Sequence, residues 1–384
     1  MALNNYDVIV IGVGSMGSSA CYWLAKRGYK VLGLEQFDIP HEKGSHTGQS
    51  RIIRKAYFEH ADYVPLLEKV YKGWQELEEL TAKHVYFRTG LVYFGDQESK
   101  MMKGVKNSST LHQIKIEELT GEQAGLKWPG IEFPKNHKAI YEEDAGFITP
   151  EKAIILYIEE AIKCGAEIRK NETVLEWKKE NDQIKITTNK DIYYSKKLII
   201  TAGAWAGKLL PHLKTELNVT RQTIAWMGIK NPKNFSFGNF PCWMVEDNER
   251  GCYYGFPILP KDRFDGPYGL KIAHHFPGTI TDPDTVNRQI TKEDEEDLRF
   301  ALEKYLPGAN GKVLSWKTCL YTNTKDENFI IDHLPEYDGA VTIACGFSGH
   351  GFKFVPVVGE MLADLAIEGK TQYPIDFLKL KRFL

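Results

Sequence analysis

Residues 7–35 read DVIVIGVGSMGSSACYWLAKRGYKVLGLE, and this stretch decides the fold. Residues 7–11 form a short β-branched run of the kind that makes a buried parallel strand. Gly12, Gly14 and Gly17 then complete G-x-G-x-x-G. Ala20, Cys21, Leu24 and Ala25 recur at helical spacing up to Gly28, which reads as the stop before a second strand, KVLGL. The result is one βαβ unit. Each glycine has a mechanical reason: the first makes a tight turn, the second lets the backbone approach a pyrophosphate, and the third packs helix closely on strand. The helix N-terminus offers free N–H groups and partial positive charge to phosphates. Glu35, 18 residues beyond Gly17, is placed to accept hydrogen bonds from a ribose 2′-OH and disfavours a 2′-phosphate. Gly12, Gly14, Ser15, Met16, Gly17 and Glu35 are therefore candidate contacts for an adenine dinucleotide.

Working outward, 384 residues with 42% apolar and 26% charged content exceed what one hydrophobic core usually organises, so two lobes are expected. Lys and Arg number 49 against 51 Asp and Glu, and the net charge of -2 gives no reason to expect nucleic acid or an anionic membrane as partner. The N-terminus runs almost directly into YDVIVIGVG, without a signal-peptide pattern, and no apolar run is long enough to span a bilayer. A cytoplasmic location is expected. Six cysteines, Cys21, Cys164, Cys242, Cys252, Cys319 and Cys345, are scattered without C-x-x-C spacing, so no metal site is expected and the thiols read as small buried groups in a reducing compartment.

The fingerprint does not choose between NAD and FAD. After Glu35, however, QFDIPHEKGSHTGQSRIIRKAY (36–57) is a polar loop far longer than an ordinary βα connection, and loops of that length tend to be functional. Its Arg51 and Arg54 lie three apart, which on a short helix would present one to a cofactor and one to a substrate anion; two solvated arginines is the alternative. Near the C-terminus, AVTIACG is a strand, FSGHG a turn, and FKFVPVVGEMLADLAIEGK opens a helix with Val357, Val358, Met361, Leu362 and Leu365 on one face. FITPEKAIILYIEEAIKCG reads as a helix with Thr149 as N-cap, Pro150 in the first turn, Gly165 as stop, and Ile154, Ile155, Tyr157, Ile158 and Ile162 as its apolar face. Residues 84–95, 222–229, 242–246, 252–258 and 269–276 have strand propensity and aromatic enrichment, as expected of a large antiparallel sheet. In GLKIAHHF, Lys271, Ala273 and His275 share one strand face while Ile272 and His274 share the other.

Six segments, GVGSMG…E, GSHTGQSRIIR, TAGAWAGKLLP, YYGFP, KTCLYTNTKDENFIID and GFSGHGFKF, occur in the order of corresponding segments of the monomeric sarcosine oxidase family, which includes N-methyltryptophan oxidase. The resemblance covers nearly the whole chain. It implies an α/β fold with an α+β second lobe: a Rossmann-like FAD-binding domain from residues 1–83, 145–219 and 322–384, interleaved with an antiparallel-sheet substrate domain from 84–144 and 220–321. It implies FAD rather than NAD, joined covalently to Cys319 in SWKTCLYT. From the residues alone Cys319 reads as a buried inert thiol, although a thiolate is a suitable nucleophile for the electron-poor flavin 8-methyl carbon.

By the same resemblance Arg54 and Lys353 bind the substrate carboxylate, and His275, Tyr254 and Tyr321 line the amine pocket. Lys271 activates dioxygen on the opposite side of the flavin, a role that suits a cation near developing oxyanion charge. Arg51, Val174, Trp205, Gly346, Gly349, Gly351 and Lys353 join the fingerprint as cofactor contacts, the glycine-rich turn and helix N-terminus forming an electrostatic sink for reduced flavin. Lys271, His275, Arg51 and Tyr254 are the implied catalytic set, while the alternative for His274 and His275 is a pair of satisfied sheet histidines.

Two departures stand out. Thr47 and Gln49 replace a histidine and an acid common in relatives, and residues 258–269, ILPKDRFDGPYG, form a longer segment that could reshape the pocket rim. The implied activity is oxidation of a secondary N-methyl amino acid, sarcosine first, by O2, giving glycine, formaldehyde and hydrogen peroxide, in a monomer. A larger or cyclic substrate (N-methyltryptophan, pipecolate or a glycated amino acid) is the near alternative. A nicotinamide-dependent dehydrogenase or a non-catalytic flavin-binding protein is the distant one.

Overall fold

The computed structural model describes residues 4–383. Its first sheet is built on the expected βαβ unit. β1 (Asn5–Ile11) lies between β2 (Val31–Leu34) and the strand Ile192–Ile200, parallel to both. The strand Val341–Cys345 extends the parallel run beyond Ile192–Ile200, and Glu167–Arg169 extends it beyond β2. Antiparallel strands Val174–Glu180, Gln183–Thr188 and Ile330–His333 complete eight. β1 and β2 are buried almost throughout, as strands covered on both faces must be.

Helix α1 (Ser15–Lys26) packs on this sheet with the helices Pro150–Lys163 and Val355–Glu368 beside it. The third fingerprint glycine makes the approach possible, since a Cβ on Gly17 would stand 2.0 Å from the Gly12 carbonyl oxygen. Gly28 ends α1 at φ +84°, as read from the sequence. The helix Pro150–Lys163 corrects one expectation. Ile154 and Tyr157 are buried, but Ile155 and Ile162 are exposed and Ile158 is half-buried. The buried face is completed by Ala153, Leu156 and Ala161, because small residues let this helix approach α1 closely while the bulkier isoleucines flank the contact.

A second, nine-stranded sheet carries the aromatic strands. The expected strand at 222–229 begins earlier and runs Leu217–Met227, pairing along its length with Val313–Thr324, so that Gln222 stands opposite Cys319 and Thr220 opposite Tyr321. Leu270–Phe276 pairs with Leu217–Met227 on one side and Gly251–Phe256 on the other. The alternation read from GLKIAHHF holds: Ala273 and Cys319 belong to one apolar cluster and Ile272 to another, on the face covered by the helix Lys292–Tyr305. His274 ends on that outer face, stacked on Tyr253 and paired with Asp297 at 2.8 Å.

The stretch expected as one strand at 84–95 is divided at Gly90, φ +71°, with Tyr86–Arg88 and Leu91–Asp96 in different sheets. Arg51 and Arg54 are not on a helix. Arg51–Ile53 is a strand between Gly146–Ile148 and the long polar loop, and Arg54 follows its last residue. Arg54, just past the strand end, borders only a small chamber, whereas Arg51 borders both that chamber and a larger cavity. Among the described residues no helix is long and apolar enough to cross a membrane.

Candidate functional site

A cavity of about 390 Å³ opens at the ends of the parallel strands, where chain direction and helix N-termini favour a dinucleotide. Gly12, Gly14, Ser15, Met16 and Glu35 line it, together with Arg51, Val174, Trp205, Gly346, Gly349 and Gly351. Gly17 lies behind this wall, in the helix contact. Glu35 accepts N–H bonds from Val13 at 3.0 Å and Phe37 at 3.1 Å, and burial pushes its carboxyl up to about 7. The cradle fits a dinucleotide on further grounds. His46 Nε2 and Thr322 Oγ1, buried polar atoms of residues lining the cavity, lack a protein partner, as expected of groups that meet a ligand. Gly14 leaves its side open, with only the His46 ring near a hypothetical Cβ, at 3.9 Å.

A second, small chamber of about 40 Å³ adjoins the first, and Arg51, Gly349 and Phe352 line both. Its other walls are Ile52, Arg54, Met244, Tyr254, His275, His350 and Lys353. The glycine turn thus feeds two spaces: its backbone borders the large cavity while Lys353, from the 3-10 turn Phe352–Phe354, points into the small one. Lys353 Nζ donates to the His350 carbonyl at 2.7 Å and to the Tyr57 hydroxyl at 3.3 Å. Burial, reinforced by the neighbouring Arg54 charge, depresses its pKa well below that of an ordinary lysine. His275 and Tyr321 meet at 3.3 Å, and burial pushes the His275 imidazole down to about 3, so it is neutral at physiological pH. Tyr321, expected on the amine side, lines the large cavity.

Lys271 lies fully within the protein on the inner face of the second sheet. Its ammonium donates to the carbonyls of Gly48 at 2.5 Å and Ser50 at 2.6 Å and to Ser50 Oγ at 3.1 Å, and stands 4.4 Å from the Phe256 ring centre. Burial and then the Arg51 charge press its pKa well below the usual lysine range. The Arg51 guanidinium is held by the carbonyls of Ser45, Thr47 and Ser50. Cys319 is fully buried and lines neither cavity. Burial raises its thiol pKa, while Arg51 and Lys271 draw it back.

Several residues of this site carried no sequence signal. Glu59 closes on Arg54, and although burial alone would raise its pKa, Arg54, His350 and Lys353 hold it down to about 2. Tyr57 donates to His350 Nδ1 at 2.6 Å, while His350 Nε2 donates to the Glu327 carbonyl at 2.9 Å, which sets the imidazole tautomer. His350 stands inside the glycine-rich turn, the one cue that could have found it. Gln49, one of the two departures, accepts from Trp226 Nε1 at 2.9 Å and donates to the Asp265 carbonyl at 2.8 Å. That bond ties down residues 258–269, whose Phe264 packs on Phe87 and Phe147, and among the described residues none of this segment lines either cavity.

The profile of the family "FAD dependent oxidoreductase" matches residues 7–365. The chain is 41% identical to monomeric sarcosine oxidase of Bacillus sp. (strain NS-129) over 98% of its length and 97% of that protein. It is 34% identical to N-methyl-L-tryptophan oxidase of Salmonella dublin, over 98% and 99%. The solved structure of NikD, an unusual amino acid oxidase essential for nikkomycin biosynthesis, superposes with a TM-score of 0.86 at 23% identity, covering 98% of this chain and 97% of that one, and shares its fold. The resemblance read from six short segments is borne out along nearly the whole chain, which belongs to the FAD dependent oxidoreductase family alongside monomeric sarcosine oxidase and N-methyl-L-tryptophan oxidase.

Proposed function

We propose that this protein is an FAD-dependent oxidase of small secondary amino acids, consuming sarcosine, O2 and water and giving glycine, formaldehyde and hydrogen peroxide, the water hydrolysing the iminium left by oxidation. The observation that carries the reading is the junction of the two cavities, where a chamber walled by Arg54 and Lys353 meets the dinucleotide cavity across Arg51, Gly349 and Phe352. FAD, when bound, accepts a hydride equivalent from the carbon beside the amine nitrogen and passes two electrons to dioxygen.

The chain's own residues supply orientation and charge. Arg54 and Lys353 hold the substrate carboxylate through charge-assisted hydrogen bonds. Tyr254 and the neutral His275 border the methylamino end, where an uncharged imidazole adds no positive charge beside the neutral amine whose lone pair the hydride loss requires. Lys271, on the far side of Arg51, offers positive charge to reducing dioxygen. Cys319 would be the covalent attachment point: burial raises its thiol pKa, and Arg51 and Lys271 draw it part of the way back towards the nucleophilic thiolate. The two lobes divide as residues 1–83, 145–219 and 322–384 against 84–144 and 220–321, and the protein works as a cytoplasmic monomer.

The small chamber, about a tenth the volume of the cavity it joins, favours a compact substrate such as sarcosine over indole-bearing or glycated ones. The test is a panel of secondary amines with peroxide detection. Sarcosine should be turned over fastest and dimethylamine, lacking the carboxylate, poorly; equal rates would remove Arg54 and Lys353 from the substrate site.

A further inference from the structure

The strand Arg51–Ile53 pairs antiparallel with Gly146–Ile148, Arg51 opposite Ile148 and Ile53 opposite Gly146. Carried past both ends, this register brings Glu151 opposite residue 48 and Glu142 opposite residue 57. Both carboxylates turn inward and take backbone N–H groups of the arginine-bearing ribbon. Glu151 Oε1 accepts from Gly48 at 2.8 Å and from Gln49 at 3.1 Å. Glu142, 1% exposed, accepts from Lys55 at 2.6 Å through Oε1, and through Oε2 from Ala56 at 3.1 Å and the Tyr93 hydroxyl at 2.9 Å.

At each end the clamped residue turns its own carbonyl to one of the site's cations. The Gly48 carbonyl holds Lys271 Nζ at 2.5 Å, and the Ala56 carbonyl holds Arg54 Nη1 at 3.1 Å. Gly48 sits at φ +115°, a conformation open to glycine but strained for other residues, so its carbonyl direction depends on what holds the N–H. A buried carboxylate that exchanges water for backbone donors fixes those donors firmly, because leaving them unpaired is costly.

We propose that Glu142 and Glu151 are positioning residues for different halves of the reaction, Glu142 seating Arg54 through Ala56 and Glu151 seating Lys271 through Gly48. The assignment rests on the reading of Arg54 and Lys271 given above. Neither carboxylate lines a cavity, so neither touches substrate or cofactor.

The test uses the flavin-loaded protein and three readouts: amide hydrogen exchange, acetate affinity read from the flavin absorption spectrum, and reoxidation by air after photoreduction. Glu151→Ala should free the amides of Gly48 and Gln49 and slow reoxidation by about tenfold or more, within the ~10²-fold that an ångström of misplacement costs, with acetate affinity unchanged. Glu142→Ala should free the amides of residues 55–56 and weaken acetate by about tenfold, with reoxidation unchanged. Glu151→Gln keeps one oxygen able to take both N–H groups and should restore reoxidation. Glu142→Gln, both of whose oxygens are engaged, should not restore acetate binding, and it replaces the alanine variant if that one does not fold. The proposal is overturned if each variant impairs both functions, if neither does, or if glutamine at 151 behaves as alanine. Arg54→Lys and Lys271→Met serve as references. If those two references leave acetate affinity and reoxidation intact, the reading of the two cations falls and the exchange pattern alone decides the seating: amides freed separately at each end uphold it, and amides freed together or not at all overturn it.

Discussion

Arg54 and Glu59 meet in a buried ion pair in which Nη2 donates to both carboxylate oxygens, at 2.5 and 2.7 Å, with each side chain 2% exposed. Any substrate carboxylate that reaches Arg54 must compete with this internal one. Glu59→Gln removes the competing charge, so acetate should bind the variant more tightly than the wild type. The same change leaves a buried guanidinium without its counter-ion and should cost roughly 3–5 kcal/mol of stability. Acetate titration and urea unfolding measure the two effects; weaker acetate binding would mean that Glu59 holds Arg54 in its working position instead of masking it.

Arg54→Lys tests the other partner. The ammonium keeps the charge but not the planar fork, so sarcosine KM should rise, by about tenfold for one charge-assisted hydrogen bond of ~1.5 kcal/mol. An unchanged KM would leave Lys353 as the sole anchor.

Cys319 stands at the centre of strand Val313–Thr324 with Arg51 and Lys271 both acting on its thiol. Acid denaturation should leave the yellow colour with the protein pellet, and Cys319→Ser should release it into the supernatant. Flavin retained by the serine variant after denaturation would move the attachment elsewhere.

Lys271→Met removes a cation that two backbone carbonyls hold in place. Anaerobic bleaching by substrate should change little, while reoxidation should slow by about 10²–10³, the worth of one electrostatic donor aimed at developing oxyanion charge. Slow bleaching with normal reoxidation would put Lys271 on the substrate side.

The buried histidines give the flavin-free protein a pH dependence of definite sign. Burial pushes His46 and His350 down to about 4 and His275 to about 3, against about 6.5 for an unfolded chain. Between those values the unfolded state binds the more protons, so stability falls as pH drops from about 6.5 towards 4. Glu35, pushed up to about 7, has the opposite sign over much of the window, because the folded state keeps its proton as the unfolded state loses it. His41 and His137 are also depressed by burial and Glu142 is raised, so five histidines outweigh two carboxyls. The thermal midpoint should fall from pH 7 to pH 5, and the fall should be shallower in His350→Gln. A midpoint rising over that interval would show the histidines to be solvated.

The chain itself determined the dinucleotide half of this protein. Gly12, Gly14 and Gly17, the β-branched run before them and Glu35 after them are constraints acting within one βαβ unit, where a turn, a helix contact and a strand end are set by neighbours in sequence. The strand, turn and helix around Gly346–Gly351, and the alternation that turns Lys271 and His275 inward, were legible for the same reason: each is a period of two or 3.6 residues broken by glycine. What surrounds the cations was not legible. Glu59, Glu142 and Glu151 look like any other charged residues in the sequence, and the stretch from Arg51, readable as a short helix, is the strand Arg51–Ile53, whose pairing partner, Gly146–Ile148, lies nearly a hundred residues away. Only the tertiary structure chose that partner, and with it which carboxylate meets which backbone amide, since strand register is settled by burial and hydrogen bonding between distant segments and leaves no periodic trace in either.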